Sequence, residues 1–317
     1  MTKKIYYKKV RDFGEIFGDT FLYLKLNFKS FFGVILALAG PFFLLNSIAS
    51  SFLLKFSFAS LTGNPNALQM LSNMAVPLTC IIFFSIIGSS VYNTVVNEHQ
   101  LANEELQMDE KPSIGLIGKR FFGSYWRNLG VMFLVLFAII ISYILLALVG
   151  GLMILALKSI GFIGIFLLVI FFLLLFFIIL PIFFYLIVAI VFTSQRHKLN
   201  FFKATRLVIK YLRGNFWMTW LISFVGGLCT YILIALAYIP VYVLMFVSLI
   251  SRSKMDGLNA VNNIQNEVPI YVTVITSVVG LLIICISTIY LVMMNLQCSS
   301  NEEKLEGKSI LEKIENI

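Results

Sequence analysis

The sequence predicts an all-α polytopic membrane protein. It has six transmembrane helices, arranged as three repeats of an interfacial amphipathic helix followed by a helical hairpin. Three observations predict this. Of 317 residues, 60% are hydrophobic and only 12% charged, whereas soluble domains carry about 45–50% and about 25%. Uncharged apolar runs long enough to cross a bilayer, roughly 18 residues or more, recur at 31–54, 74–96, 129–157, 162–193, 216–250 and 269–296. Basic residues collect in every second connection. A mean hydropathy of +0.95 excludes both a soluble globular fold and a disordered chain.

The first fifteen residues, MTKKIYYKKVRDFGE, lack the short apolar core and small-residue cleavage site of a signal peptide. They read as the start of an amphipathic segment. Only Lys55, Lys158, Arg252 and Lys254 fall on one side of the six runs, and the other twenty of 24 Lys and Arg fall on the opposite side. The positive-inside rule puts the basic side, with both termini, in the cytoplasm. The net charge of +9 therefore reports topology and contact with anionic inner-leaflet lipid, and does not point to nucleic acid. The location expected is a bacterial cytoplasmic (inner) membrane.

Three basic segments lead into odd-numbered runs and look alike. They read Tyr23-Leu24-Lys25-Leu26-Asn27-Phe28, Tyr125-Trp126-Arg127-Asn128-Leu129 and Tyr211-Leu212-Arg213-Gly214-Asn215-Phe216. An aromatic ring suits the headgroup zone, a base suits lipid phosphate, and Asn27, Asn128 or Asn215 would cap the helix that follows. Each pattern follows an amphipathic stretch. In the first, Val10, Phe13, Phe17, Phe21, Leu24 and Phe28 form one stripe; in the second, Ile114, Ile117, Phe121 and Tyr125; in the third, Phe201, Ala204, Val208 and Leu212. Interfacial helices of this kind would hold lipid headgroups with Lys25, Lys29, Lys119, Arg120, Arg127, Lys203, Arg206, Lys210 and Arg213. The repeats would span about 10–96, 113–193 and 199–296 of a single membrane domain covering 1–317, with 297–317 as a cytoplasmic tail.

Residues 13–21 (FGEIFGDTF) running through Asn27-Phe28 to Gly40-Pro41-Phe42-Phe43, and the stretch Arg213-Gly214-Asn215-Phe216-Trp217, resemble a group of uncharacterised bacterial six-span proteins. That group is similar to the membrane domain of some glycerophosphoryl diester phosphodiesterases. The resemblance covers the layout of the whole chain through short motifs. It implies fold and location but no activity, because the phosphodiesterase catalytic barrel is absent from this sequence.

Little in the sequence points to chemistry. No GxSxG, P-loop or metal-spaced His/Cys cluster occurs. The centres of the spans carry no acid or base, which argues against a proton-coupled pump. His99 and His197 fall in connections beside span ends and read as solvated, as do the acidic residues Glu98, Glu104, Glu105, Asp109 and Glu110 and those of the tail. Cys80, Cys229, Cys285 and Cys298 share no aqueous loop and read as apolar thiols. Pro41, Pro77, Pro181 and Pro240 fall within spans and would kink them. Asn46, Ser47, Ser50 and Ser51, then Ser89, Ser90, Tyr92 and Asn93, and the hydroxyls of Tyr231, Tyr238 and Tyr242 would hydrogen-bond between helices. Gly150-Gly151 and Gly226-Gly227 would let helices approach closely. No catalytic, cofactor or metal site is expected. The function expected is that of a lipid-interacting scaffold or accessory subunit, partnered by anionic lipids and by other membrane or cytoplasmic proteins. The alternative is a transporter or channel for a neutral, amphipathic or lipid-like substrate.

Overall fold

The computed structural model describes residues 9–62, 67–106, 111–157, 161–256 and 270–315. Lys3, Lys4, Lys8, Asp109, Glu110 and Lys158 lie outside these residues. The described chain is helical throughout, with no strand. In order it forms α1 (Phe13–Leu38), α2 (Gly40–Thr62), α3 (Ala67–Glu105), α4 (Ile114–Leu157) and α5 (Phe162–Leu174), then a π turn (Leu175–Ile179), α6 (Leu180–Arg196), α7 (Phe201–Arg213), α8 (Phe216–Asp256) and α9 (Ile270–Glu315). Six helical stretches are long and apolar enough to cross a membrane: Phe13–Leu38, Met74–Glu105, Ile114–Leu155, Phe166–Arg196, Phe216–Leu244 and Val274–Gly307. At most 33% of the most apolar window of any of them is buried inside the protein. Most of their apolar surface therefore faces outward, as lipid contact requires.

The starts of the three expected repeats are built differently from one another. Asp12 caps α1 through its side chain, which accepts from Glu15 N at 2.8 Å, while Glu15 reaches back to Asp12 N at 3.2 Å. This reciprocal pair satisfies two otherwise orphaned amides. From there α1 runs unbroken past Asn27, so Asn27 is no cap; its amide donates to Tyr23 O at 3.1 Å. The break comes at Ala39, inside the stretch expected to be one span. Pro41 has no N–H to continue the ladder and its ring would clash with the preceding turn, so α2 restarts with Pro41 in its first turn. Asn128 also lies inside a continuous helix, α4. Only the third copy is interrupted, between α7 and α8 at Gly214-Asn215. Of the other prolines, Pro181 follows the π turn in the first turn of α6, while α3 and α8 continue as helices through Pro77 and Pro240.

The helix ends also run further than the sequence pattern suggested. α3 continues to Glu105 and α9 to Glu315. Most of 97–103 and all of 297–302 are thereby buried in the bundle. Two apolar clusters form the core. One gathers Tyr23, Phe31, Ile35, Val95 and Val292, and the other Ile16, Tyr185, Ala189, Val208, Ile222 and Met294. α9 contributes to both and is the central helix. It packs closely where glycines face it: a Cβ on Gly226 would sit 2.7 Å from Met293 Sδ. Gly227 has ordinary contacts, the nearest at 3.7 Å. Gly226→Val is expected to lower stability by about 1–3 kcal/mol, the usual overpacking cost, and Gly227→Ala by far less. Thermal unfolding in detergent, followed by circular dichroism, checks the difference.

Candidate functional site: a buried polar layer at the basic end

The last turns of α3 and α6 and the 295–304 stretch of α9 meet the start of α1 and the α7–α8 junction at the basic end of the bundle. Their polar side chains are almost all buried. Polar groups removed from water need partners within the protein, and most here bond across helices, while Asn295 Oδ1 and Gln297 Oε1 are left without one. Gln195 of α6 is the hub of one set. Its amide nitrogen donates to Glu98 Oε1 at 2.7 Å and to Thr94 O at 3.2 Å, and its oxygen accepts from Asn97 Nδ2 at 3.1 Å. Asn97 Oδ1 accepts in turn from Asn295 Nδ2 of α9 at 2.8 Å. Three helices are thus joined by a directional chain of amides.

A charged set lies beside it. Arg196 donates through Nη2 to Glu104 Oε1 at 2.8 Å and through Nη1 to Ser299 Oγ at 2.7 Å. Its Nε stands 3.5 Å from Glu302 Oε2. Glu302, with a side chain only 7% exposed, also meets His197 Nε2 at 2.8 Å and accepts from the Tyr211 hydroxyl at 3.2 Å. Burial, with the Glu302 carboxylate alongside, pushes that hydroxyl well above the usual phenol range. Tyr211 therefore remains a protonated donor to Glu302. One guanidinium thus ties carboxylates from α3 and α9 to α6, and Tyr211 adds α7.

A third set lies on the other side of α9. Gln297 Nε2 donates to Thr219 Oγ1 at 2.9 Å and to Asn301 Oδ1 at 3.0 Å. Asn301 Nδ2 donates to the Tyr185 hydroxyl at 3.1 Å. Asn215 opens α8 here, but its side chain does not cap that helix. It donates to Asn301 Oδ1 at 2.9 Å and accepts from Lys304 Nζ at 3.0 Å.

Several expectations from sequence are corrected by this layer. His99 is fully buried instead of solvated. Its Nδ1 lies 2.6 Å from the Tyr23 hydroxyl and its Nε2 lies 3.3 Å from Ser30 Oγ. Glu98 and Glu302 are buried rather than solvated. Arg11 is buried too, paired with Asp19 at 2.9 Å, and its backbone N–H donates to Ser300 Oγ at 2.8 Å. Of the polar patches, Asn46 donates to Ser85 at 3.2 Å and Tyr92 to Thr288 at 2.9 Å across helices, whereas Ser50, Ser51 and Asn93 bond back to carbonyls of their own helices. Tyr231 and Tyr242, by contrast, face outward.

The amphipathic stripes pack mainly inward. Ile117 and Phe121 of α4, and Ala204, Val208 and Leu212 of α7, are buried in the bundle. In α1 the buried line is Ile16, Thr20, Tyr23 and Asn27, while Phe21 and Phe28 of the expected stripe face out. The outward faces carry the bases. Lys25, Lys29, Lys119, Lys203, Arg206, Lys210 and Arg213 are exposed, Arg127 is half-buried, and Arg120 is paired with Glu105. Among them stand the exposed rings of Phe21, Phe28, Phe122, Trp126, Phe202 and Trp217. Two shallow grooves lie on these faces. Lys9, Glu15, Asp19 and Lys25 line one on α1, and Phe202, Arg206, Ile209, Lys210 and Arg213 line one on α7.

Among the described residues, no group of three or more His, Cys, Asp or Glu is arranged to hold a metal ion. No family model, curated protein or solved structure matches the chain.

One sequence signal did mark the layer. Asn97 with Asn103-Glu104-Glu105 recurs, at the same spacing, as Asn295 with Asn301-Glu302-Glu303. The two matched asparagines bond to each other, and the two matched glutamates share Arg196. Replacing the arginine would take the guanidinium from the partly buried Glu104 and leave the buried Glu302 with only His197 and Tyr211. Arg196→Met is expected to cost about 3–5 kcal/mol, while Lys203→Met on the exposed face stays within about 0.5 kcal/mol. Adding Glu104→Gln and Glu302→Gln to Arg196→Met should recover part of the loss, as read by unfolding midpoints across the set.

Proposed function

We propose that the chain is a non-enzymatic, multi-pass protein of a bacterial cytoplasmic membrane, with both termini inside, acting as a lipid-interacting scaffold or accessory subunit of a membrane complex. The observation that carries this reading is the outward face of α1, α4 and α7. Exposed aromatic rings and bases alternate there at one end of an apolar bundle, the composition of a headgroup-level belt. Most buried polar groups of the same end bond to one another across helices, which serves cohesion. The all-α six-span fold is in keeping with the resemblance to the membrane domains of glycerophosphoryl diester phosphodiesterases in layout, with no activity carried over.

Protein extracted from native membranes in mild detergent is expected to retain phospholipid enriched in anionic headgroups over the bulk membrane, measured by lipid mass spectrometry. Replacing Phe122, Trp126 and Trp217 together by alanine should lower the retained amount at unchanged helicity. Retention of no phospholipid, or of phospholipid at bulk composition with no dependence on these rings, would count against the reading.

A further inference from the structure

We propose that the outward face of α7 is the docking site for a single anionic phospholipid headgroup, its phosphate held by Arg206, Lys210 and Arg213 and its apolar portion lying against Phe202 and Ile209. This rests on the lipid-interacting reading above and narrows it to one helix and one class of headgroup.

The helix divides into two faces. Phe202, Arg206, Ile209, Lys210 and Arg213 recur at three- and four-residue steps and share one side; all are exposed and line the α7 groove. Ala204, Val208, Tyr211 and Leu212 occupy the opposite side and are buried against the bundle. The register of the outward face is therefore locked by the inward one, chiefly through Tyr211 on Glu302. A rigid element presents the bases, so little side-chain placement is left to chance.

Charge balance separates this face from the other two. The α7 sequence, FFKATRLVIKYLR, contains no acidic residue, and no carboxylate lines its groove. In the α1 groove Lys9 and Lys25 are accompanied by Glu15 and Asp19, and Lys9 is paired with Glu15. On α4, Arg120 is paired with Glu105. A phosphate brought to α1 would meet carboxylates, and one brought to α4 would compete with one; on α7 it meets only cations. Two of the three are arginines, whose planar forks match phosphate oxygens. The occupant is a lipid, as opposed to a free anion, because Phe202 is 76% exposed and Trp217, one turn beyond Arg213, is 71% exposed. A soluble ligand would leave these rings in water, whereas a bilayer buries them as it delivers the phosphate.

The test uses the full-length protein in detergent, titrated with phosphatidylglycerol or phosphatidylcholine and read by native mass spectrometry as bound lipid. The variants are R206Q/K210Q/R213Q and, as the comparison, K25Q/K29Q/K119Q. The wild type and the comparison variant are expected to bind phosphatidylglycerol at least about tenfold more tightly than phosphatidylcholine, and the α7 variant to lose that preference at an unchanged unfolding midpoint. Equal loss in both variants, or loss in the comparison variant alone, would overturn the α7 assignment and leave the broader lipid reading standing. Inorganic phosphate displacing phosphatidylglycerol from the wild type at equal concentration would overturn the lipid as occupant. Absence of binding of either lipid by the wild type would remove both readings together.

Discussion

The bundle turns on one constraint: two carboxylates on different helices, Glu104 and Glu302, are drawn from water beside a single guanidinium. Glu302 could not be buried alone, since the unpaired charge would cost several kcal/mol. Arg196 can reach both acids only if the ends of α3 and α6 lie level with the 295–302 stretch of α9. The amide chain through Gln195, Asn97 and Asn295 imposes the same condition independently. Apolar packing between membrane helices tolerates sliding, because lipid tails are about as apolar as the side chains they replace. Directional polar contacts do not tolerate it. The polar layer therefore sets the register that the apolar contacts above it then follow.

α7 links this layer to the membrane surface. Its inward face supplies Tyr211 to Glu302, and its outward face supplies Arg206, Lys210 and Arg213 to whatever lies outside. Gly214-Asn215 then ends the helix and lets α8 set off as a separate element. Asn215 serves the bundle there, through Asn301 and Lys304. A short amphipathic helix held in this way has no apolar stripe left to insert in the bilayer. Its outward face carries bases and the exposed Phe202 ring, a composition suited to headgroup contact and not to deep insertion.

The parts of this structure legible in the sequence are those that depend on one-dimensional pattern. Apolar length gave the spans and the all-α fold, and the periodicity of 201–213 gave a helix whose stripe and basic face are where the pattern put them. What the pattern could not give is what each face touches. A stripe of Ala204, Val208 and Leu212 suits lipid or protein equally well, and here it meets protein. The asparagines were misread for a related reason. Asn27 and Asn128 stand where a cap would stand if a helix began there, yet nothing in the preceding residues stops the helix, and a continuing helix turns their amides to neighbours instead. The true interruption, at Ala39 before Pro41, lay within an unbroken apolar run, where hydropathy is blind to backbone chemistry. His99, Glu98 and Glu302 looked solvated because charge near a span end usually is; only the packing of α1, α3, α6 and α9 at this level buries them.

The matched segments 97–105 and 295–303 give the polar layer its asymmetry. Two glutamates brought together away from water with no cation between them could not both remain ionised. Between them α6 supplies Gln195-Arg196-His197, a neutral amide, a permanent cation and an imidazole. The glutamine extends the asparagine pair into a three-helix chain. The arginine balances the glutamate pair, and the imidazole takes a remaining site on Glu302. Arg196 closes α6, which leads directly into α7. The helix that completes the buried layer is thus followed within a few residues by the one that turns its bases outward.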